Sequence, residues 1–430
     1  MPDRGETRVE RNRGSGIFGL LVGLSFVLGF PSAAKVQRFL GTPWLVVFSP
    51  GVLLALWVVL RYLTPRVLKR ITARGALILA GLTVVFLMVL FALVYPLTHS
   101  GVLGPGSDRD EALNAATGEL LHGRYPYHVL WKDGGGLPGH EAGKKWSPIS
   151  PLPGALFFAV PFFLLGNACY QTFFWVMVFF ITVRKYFKDG RLSLLSLWIL
   201  LFLCPVCLHE VVTGGDLLAN SLWIFVLTVF LVRCVSRREG GVGIRVLSAV
   251  LFGLGMSSRP SFLLIGPLVF SMLIQTAGWK SAVRTMTLAA MVSVAVTLPF
   301  YLYDPVRFSA LGAIYDKLGR FESILPFAGV LVPGLGMLLA VVLSFQRMDK
   351  RGVILFRNCA VVLAWPIVWA VALSSISVGG LEFSKLGWYG LIFVPFGMTA
   401  CLVPLFERAT GRPSEASVCR RSPSDPAFPS

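Results

Sequence analysis

Asp108, Asp110 and Glu111 crowd into one turn of chain, within the longest polar stretch of an otherwise apolar sequence, residues 99–150. The same stretch holds four of the five histidines, His99, His122, His128 and His140. A carboxylate here can act as a general base, taking the proton from an attacking hydroxyl as the new bond forms. Asp108 and Asp110 stand two apart and would not face each other on one helix. That spacing favours one catalytic acid, with the others structural or substrate-orienting, over a paired acid and base. The structural alternative is capping: Ser107 with Asp110, or Asp108 with Glu111, fits a capping box, and acids in a first turn suit the helix dipole.

Other groups are candidates for binding. Arg259 interrupts the apolar run 246–276, where an ionisable side chain costs ~2.5 to 3.5 kcal/mol on insertion scales and so marks a functional position by default. His209, Glu210 and Asp216 lie in the polar turn HEVVTGGD, whose plain reading is the polar end of two helices. Arg307, Lys317 and Arg320 are cations of the second polar loop, where such side chains are usually just solvated. Cys204-Pro-Val-Cys207, followed by His209 and Glu210, lacks the second ligand pair of a metal site. A quinone-linked thiol oxidoreductase would need partner cysteines in an outer loop, and 99–150 and 304–324 contain none. Small buried cysteines are the better reading. No Walker motif, Gly-rich phosphate loop or zinc-protease helix is present, and nothing points to a metal, although a divalent cation is compatible with the acids.

The elements that must position these residues are membrane helices. The 430 residues are 55% hydrophobic and 14% charged, with mean hydropathy +0.73, and apolar runs near 20 residues recur. Such runs, continuous rather than alternating, read as transmembrane helices. The fold class is therefore an all-α polytopic bundle of about twelve spans (roughly 10 to 13) with a large outer loop. The net charge of +18 comes from Lys and Arg clustered between apolar runs, as the positive-inside bias produces, and not from a basic face that would bind nucleic acid.

In order, residues 1–15 form a basic cytoplasmic tail and 16–407 the membrane domain. The first run, 16–34, ends in PSAA and reads as a signal anchor, with a cleavable signal peptide the alternative. Runs 42–62 and 76–97 follow, and the second of these delivers 99–150 to the outer face. Within that loop, apolar positions 112, 113, 116, 120 and 121, with Gly123 as the stop, predict a short amphipathic helix over 107–123 lying on the membrane surface. Residues 151–165 read as a proline-broken interfacial or re-entrant helix, because two full spans before Tyr186 would leave Arg184, Lys185, Lys188 and Arg191 outside. Spans alternate from there, with 246–276 divided at 257–260, a second outer loop at 304–324, and a disordered cytoplasmic tail at 408–430. Both termini are expected inside, in a plasma (inner) membrane.

The stretches SDRDEALNAATGELLHGRYPY and KWSPISPLPGALFFAVPFFLLG resemble the first outer loop of the GT-C superfamily, membrane glycosyltransferases that use polyprenyl-phosphate sugars, such as the mannosyltransferase-like and aminoarabinose-transferase-like groups. Asp108, Gly123, Pro126, Tyr127, Pro148 and Pro151 sit where that pattern would put them. HEVVTGGDLLANSLWIF, GLGMSSRPSFLLIGPLVF and LPFYLYDPVRF resemble later parts of the pattern, so the likeness covers about 76–308. Three spans precede the loop here, where the family usually has one.

The resemblance implies sugar transfer from a polyprenyl-phosphate donor to an acceptor (lipid, glycan or protein) on the outer face, with membrane lipids around it. It implies Asp108 as base, with Asp110 the close alternative, and Arg259 neutralising the departing phosphate. It implies that His209, Glu210 and Asp216 would hydrogen-bond sugar or acceptor hydroxyls and that Tyr127 and Arg307 would contact substrate, with Arg307, Lys317 and Arg320 as weaker phosphate candidates. The rival from another class is a transporter or flippase for a lipid-linked or small polar solute, which would show matched broken helices in two halves. Breaks occur at 151–165 and 257–260, without a matching sequence repeat.

Overall fold

The computed structural model describes residues 4–63, 68–100, 102, 109–128, 130–132, 146–237, 239–308, 310, 317–349 and 351–410. It is helical apart from one three-residue antiparallel ladder, β1 (Leu130–Lys132) with β2 (Trp146–Pro148), which joins the two ends of the loop between them.

Helix α1 (Arg4–Leu40) begins within the basic tail and runs through PSAA without a break, so Lys35 is part of it. Then follow α2 (Trp44–Val58), α3 (Ala73–His99) and α4 (Arg109–Leu121). Next come α5 (Pro153–Phe163), α6 (Gln171–Phe187), α7 (Gly190–Phe202) and α8 (Pro205–Val212). The remainder are α9 (Leu217–Ser236), α10 (Val242–Met256), α11 (Gly266–Ala277), α12 (Trp279–Tyr303), α13 (Ala328–Ser344), α14 (Val353–Val378) and α15 (Val394–Thr410).

Among the described residues, eight helices are long and apolar enough to cross a membrane, or up to ten if each bent pair is one span. The bent pairs are α5 with the segment Ala168–Phe187, at 95°, and α7 with α8, at 76°. Pro205 opens α8 at the second break, where the missing amide donor costs nothing, while the first break falls at 164–167, where Gly166 has φ +116 and Asn167 caps the turn that follows. Two further apolar helices, α10 and α13, have 15 and 17 residues, short of the ~20 that a straight crossing takes. That is why the count falls below the twelve read from sequence.

Helix α9 is the hub. Of its most apolar window 89% is buried, against 6% for α12, so α9 is enclosed by protein while α12 lies at the periphery. Trp223 and Phe225 of α9, Phe179 and Phe180 of α6, Phe356 of α14 and Phe396 of α15 fill the core around it, all essentially without exposure. Apolar side chains facing outward, such as Val46, Ile78, Leu93 and Leu338, are ordinary for helices meeting lipid.

The helix expected over 107–123 is α4, but it does not simply rest on a surface. Leu113, Ala116 and Thr117 are buried, and they share that face with Asp110. The helix leans on α5 through Gly118, where an added Cβ would stand 3.4 Å from the Phe163 ring.

Candidate functional site

The break that bears Arg259 is held by three hydrogen bonds, two from the start of α5 and one from α9. The amides of Leu152 and Gly154 donate to the carbonyls of Ser258 and Ser257, at 3.1 and 2.9 Å. The Trp223 indole donates to Ser258 Oγ at 3.2 Å. Extended backbone at Arg259 and Pro260 at the start of the following 3-10 turn end α10 and turn the guanidinium inward. It donates to Asp216 Oδ2 at 2.5 Å.

Asp216 immediately precedes α9, and the Gly214–Gly215 turn before it is built for close approach. Gly214 has φ +74, and a Cβ there would stand 2.8 Å from the Tyr95 ring and 3.0 Å from the Asp110 carboxyl. A Cβ on Gly215 would stand 2.3 Å from Glu210 Oε2. Only glycine admits these approaches. The turn thus brings Glu210, Asp216 and Asp110 together from two distant parts of the chain.

Arg109, the first residue of α4, lies 3.7 Å from both Glu210 Oε2 and Asp216 Oδ1. Its guanidinium is 4.2 Å from the centre of the Trp388 ring and 5.1 Å from that of Tyr389. Lys35 of α1 lies 4.3 Å from the same Trp388 ring. Lys317 donates to the Tyr389 hydroxyl at 2.6 Å. Burial works against ionisation of Asp216, but Arg259 and Arg109 hold its carboxyl below the usual range.

Arg109 and Arg259 thus pair with two buried carboxylates, Glu210 and Asp216, and two further cations, Lys35 and Lys317, lie against the Trp388 and Tyr389 rings that Arg109 also faces. The excess is positive in a place of low dielectric, where an uncompensated charge is expensive and an anion would relieve it. Arg259 Nε and Glu210 Oε1 are buried without a hydrogen-bond partner among the described residues. Arg259 and Lys317 also open into a cleft with an apolar wall of Pro366, Ile367 and Ala370 of α14 and Ile392, and with Ser150, Ser261 and Tyr389 among its other lining residues.

Asp110 forms a second network beside the cluster. The Tyr95 hydroxyl donates to its Oδ2, and Asn167 Nδ2 donates to that hydroxyl at 3.1 Å. His99 Nε2 lies 3.5 Å from Asp110 Oδ2 and 3.3 Å from Glu111 Oε1. Burial raises the Asp110 carboxyl to about 7 despite the Tyr95 hydroxyl and His99, which pull the other way. Its Oδ1 has no hydrogen-bond partner among the described residues. The capping alternative for Asp110 gives way: its carboxylate accepts from Tyr95. Asp108 and Ser107 lie outside the described residues.

Of the other candidates, Glu210 and Asp216 join Arg259 in the cluster. His209 is half-buried beside it, with its ring 5.9 Å from that of Phe39. Tyr127 is enclosed, and its hydroxyl donates to the Pro151 carbonyl at 2.9 Å, so it braces the loop against α5. Arg307 stands apart, with its side chain 63% exposed and turned to Asp304 of its own turn. Arg320 is exposed too. Cys204 and Cys207 are wholly buried, with Cys204 Sγ 3.5 Å from Ser32 Oγ. No group of histidine, cysteine and carboxylate residues that could hold a metal ion occurs among the described residues.

Sequence reasoning missed Arg109, Lys35, Trp388 and Tyr389. Arg109 sits between two acids that drew attention from it, and Lys35 adjoins a segment read as a signal boundary. Trp388 and Tyr389 are more than 270 residues further along the chain than Arg109, in a segment that reads only as a helix entry.

In comparisons with known proteins, the chain matches no family model, no curated protein and no solved structure.

Proposed function

We propose that this protein is an integral membrane glycosyltransferase of the GT-C type, moving a sugar from a polyprenyl-phosphate donor to an acceptor hydroxyl. The observation that supports it best is the cleft at Arg259 and Lys317: cations at one end and an apolar wall from α14 suit a phosphate joined to a long hydrocarbon. In the reaction, an acceptor oxygen forms a bond to the anomeric carbon while the bond from that carbon to the phosphate oxygen breaks. The polyprenyl phosphate leaves with an added negative charge, and Arg259, Lys317 and Arg109 are the groups to stabilise it. The acceptor's proton goes to a carboxylate at the start of α4. Asp108 is the assigned base and Asp110 the alternative; the raised pKa of Asp110 suits proton acceptance, while its hydrogen bond from Tyr95 suits a supporting role.

The same reading puts the site at the outer face. The cluster is built from the ends of α1, α3 and α8 and the beginnings of α4 and α9, whereas Arg184, Arg233, Arg237, Lys280 and Arg351 gather toward the other ends of the helices. That distribution suits a cytoplasmic location for the basic end. With the bent pairs and the two shorter apolar helices counted as spans, twelve crossings result, in keeping with both termini inside.

Membranes containing the wild type, Asp108→Asn, Asp110→Asn or Arg259→Gln, at matched expression, are to be offered a panel of polyprenyl-phosphate sugars. The expected result is transfer of one of them, loss with Asp108→Asn, and a drop of about 10²-fold or more with Arg259→Gln, as for removal of one transition-state donor. Loss with Asp110→Asn alone moves the base by two residues and keeps the mechanism. No turnover of any donor, with solute flux across vesicles instead, would replace this reading by a transporter.

A further inference from the structure

Helix α9 runs from Asp216 at the ion cluster to Ser236 at a second cavity, so at ~1.5 Å per residue the two places are about 30 Å apart. The cavity holds about 1230 Å³ and opens at the basic end of the bundle, among the ends of α6, α9, α11 and α15 and the turn after α13. Its floor is apolar: Leu192, Val232, Met272 and Phe406 line it and are otherwise buried.

The charged residues at its rim do not cancel one another in the usual way. Four acids line the cavity, and each is already engaged. Asp189 accepts from the amides of Arg191 and Leu192, and Asp349 from those of Val353 and Ile354. Glu239 pairs with Arg233, and Glu407 with Arg351. Lys188, Arg237 and Arg347 are the cations left over. Arg237 lies 4.5 Å from the centre of the Tyr186 ring, while Lys188 and Arg347 are exposed at the mouth with no acidic partner among the described residues.

Lys188 adds an independent observation. It closes α6 in the left-handed conformation, φ 55 and ψ 31, where glycine is the usual residue and a side chain is strained. A lysine at a strained position, with its side chain lining a cavity, points to a use for the ammonium group. The positive-inside bias explains why cations are at this end, but neither the cavity nor this backbone.

We propose that this cavity binds the phosphate headgroup of an anionic phospholipid, with Lys188, Arg237 and Arg347 around the phosphate and an acyl chain on the apolar floor. Basic recesses between helices are suited to such headgroups. A soluble phosphate would use the rim and leave the floor unused, so the apolar lining favours the lipid. This site is independent of the sugar-transfer reading.

The test uses the full chain in nanodiscs of phosphatidylcholine alone or with phosphatidylglycerol, followed by thermal unfolding and by native mass spectrometry of retained lipid. Phosphatidylglycerol should raise Tm by about 2–4 °C and remain bound. The double variant Lys188→Gly, Arg347→Gln should lose that rise and the bound lipid. Its Tm in phosphatidylcholine should match or exceed that of the wild type, because glycine relieves the strain at position 188. An equal rise in wild type and variant would overturn the proposal, as would no rise at all. If glycerol phosphate in solution reproduces the shift in phosphatidylcholine discs, the ligand is a soluble phosphate and the lipid assignment falls.

Discussion

Asp110 shows how one side chain's surroundings set its chemistry. It is wholly buried, its nearest donor is the Tyr95 hydroxyl, and its carboxyl is raised to about 7 chiefly by burial. In the unfolded chain the same group titrates near 4. Between about pH 4 and 7 the folded protein therefore holds a proton that the unfolded chain has released, and stability falls as pH rises through that window, by up to about 1.4 kcal/mol per unit. Above about 7 both states are ionised and the dependence ends. Asp110→Asn removes this titration, so its Tm relative to wild type should rise between pH 5 and pH 8 in thermal unfolding. A relative fall would mean that Tyr95 and His99 hold the carboxylate ionised, and the burial argument would fail. At this scale the sequence was informative where an ionisable residue stood in an apolar run, as Arg259 did, or in a polar turn between two apolar runs, as Glu210 and Asp216 did. It was silent on Arg109 and Lys35, which read as ordinary flanking cations until Trp388 folds against both.

Among the elements, the broken helices were legible because proline and polar residues interrupt an apolar run at 151–165 and 257–260. That the two breaks dock on each other was not, since hydrogen bonds from Leu152 and Gly154 to Ser258 and Ser257 join positions about a hundred residues apart and leave no local pattern. Helix α4 was legible as a helix, but local spacing left Asp110 open between a base and a cap, because its partner, Tyr95, lies on another helix. The docking of α5 depends on Gly154, where a Cβ would stand 2.3 Å from the Leu254 carbonyl oxygen and 2.4 Å from Ser257 Oγ. Gly154→Ala must push the α5 backbone away from the break that bears Arg259, at a cost of about 1–3 kcal/mol. Gly81→Ala is the control: it lies inside α3 with nothing within 4 Å of an added Cβ, and helix propensity alone should make it neutral to slightly stabilising. Denaturation of the two variants in the same detergent would compare them, and equal stabilities would show that the contact at Gly154 is not tight.

Across the whole molecule, the two ends of the bundle differ in the kind of charge they hold. One end encloses its ions: Arg109, Glu210, Asp216 and Arg259 are largely removed from solvent and paired with one another. The other carries Lys185, Lys188, Lys280 and Arg347 on its surface, as a cytoplasmic face retained during insertion would. The all-helical class and the apolar spans followed from composition because lipid leaves the backbone few alternatives. The span count was harder to read, since α10 and α13 are too short to separate from buried core helices by length. Orientation can be tested by labelling one introduced cysteine on a Cys419→Ser background, in which the six remaining cysteines are buried or half-buried. His122→Cys lies on an exposed turn after α4, at the enclosed-ion end, and Arg347→Cys is exposed at the basic end. A membrane-impermeant maleimide added to intact cells should label the cysteine at 122 at once and that at 347 only after permeabilisation. The reverse order would put the ion cluster in the cytoplasm, where a donor and acceptor on the outer leaflet could not reach it, and both the orientation and the sugar-transfer reading tied to that face would have to be given up.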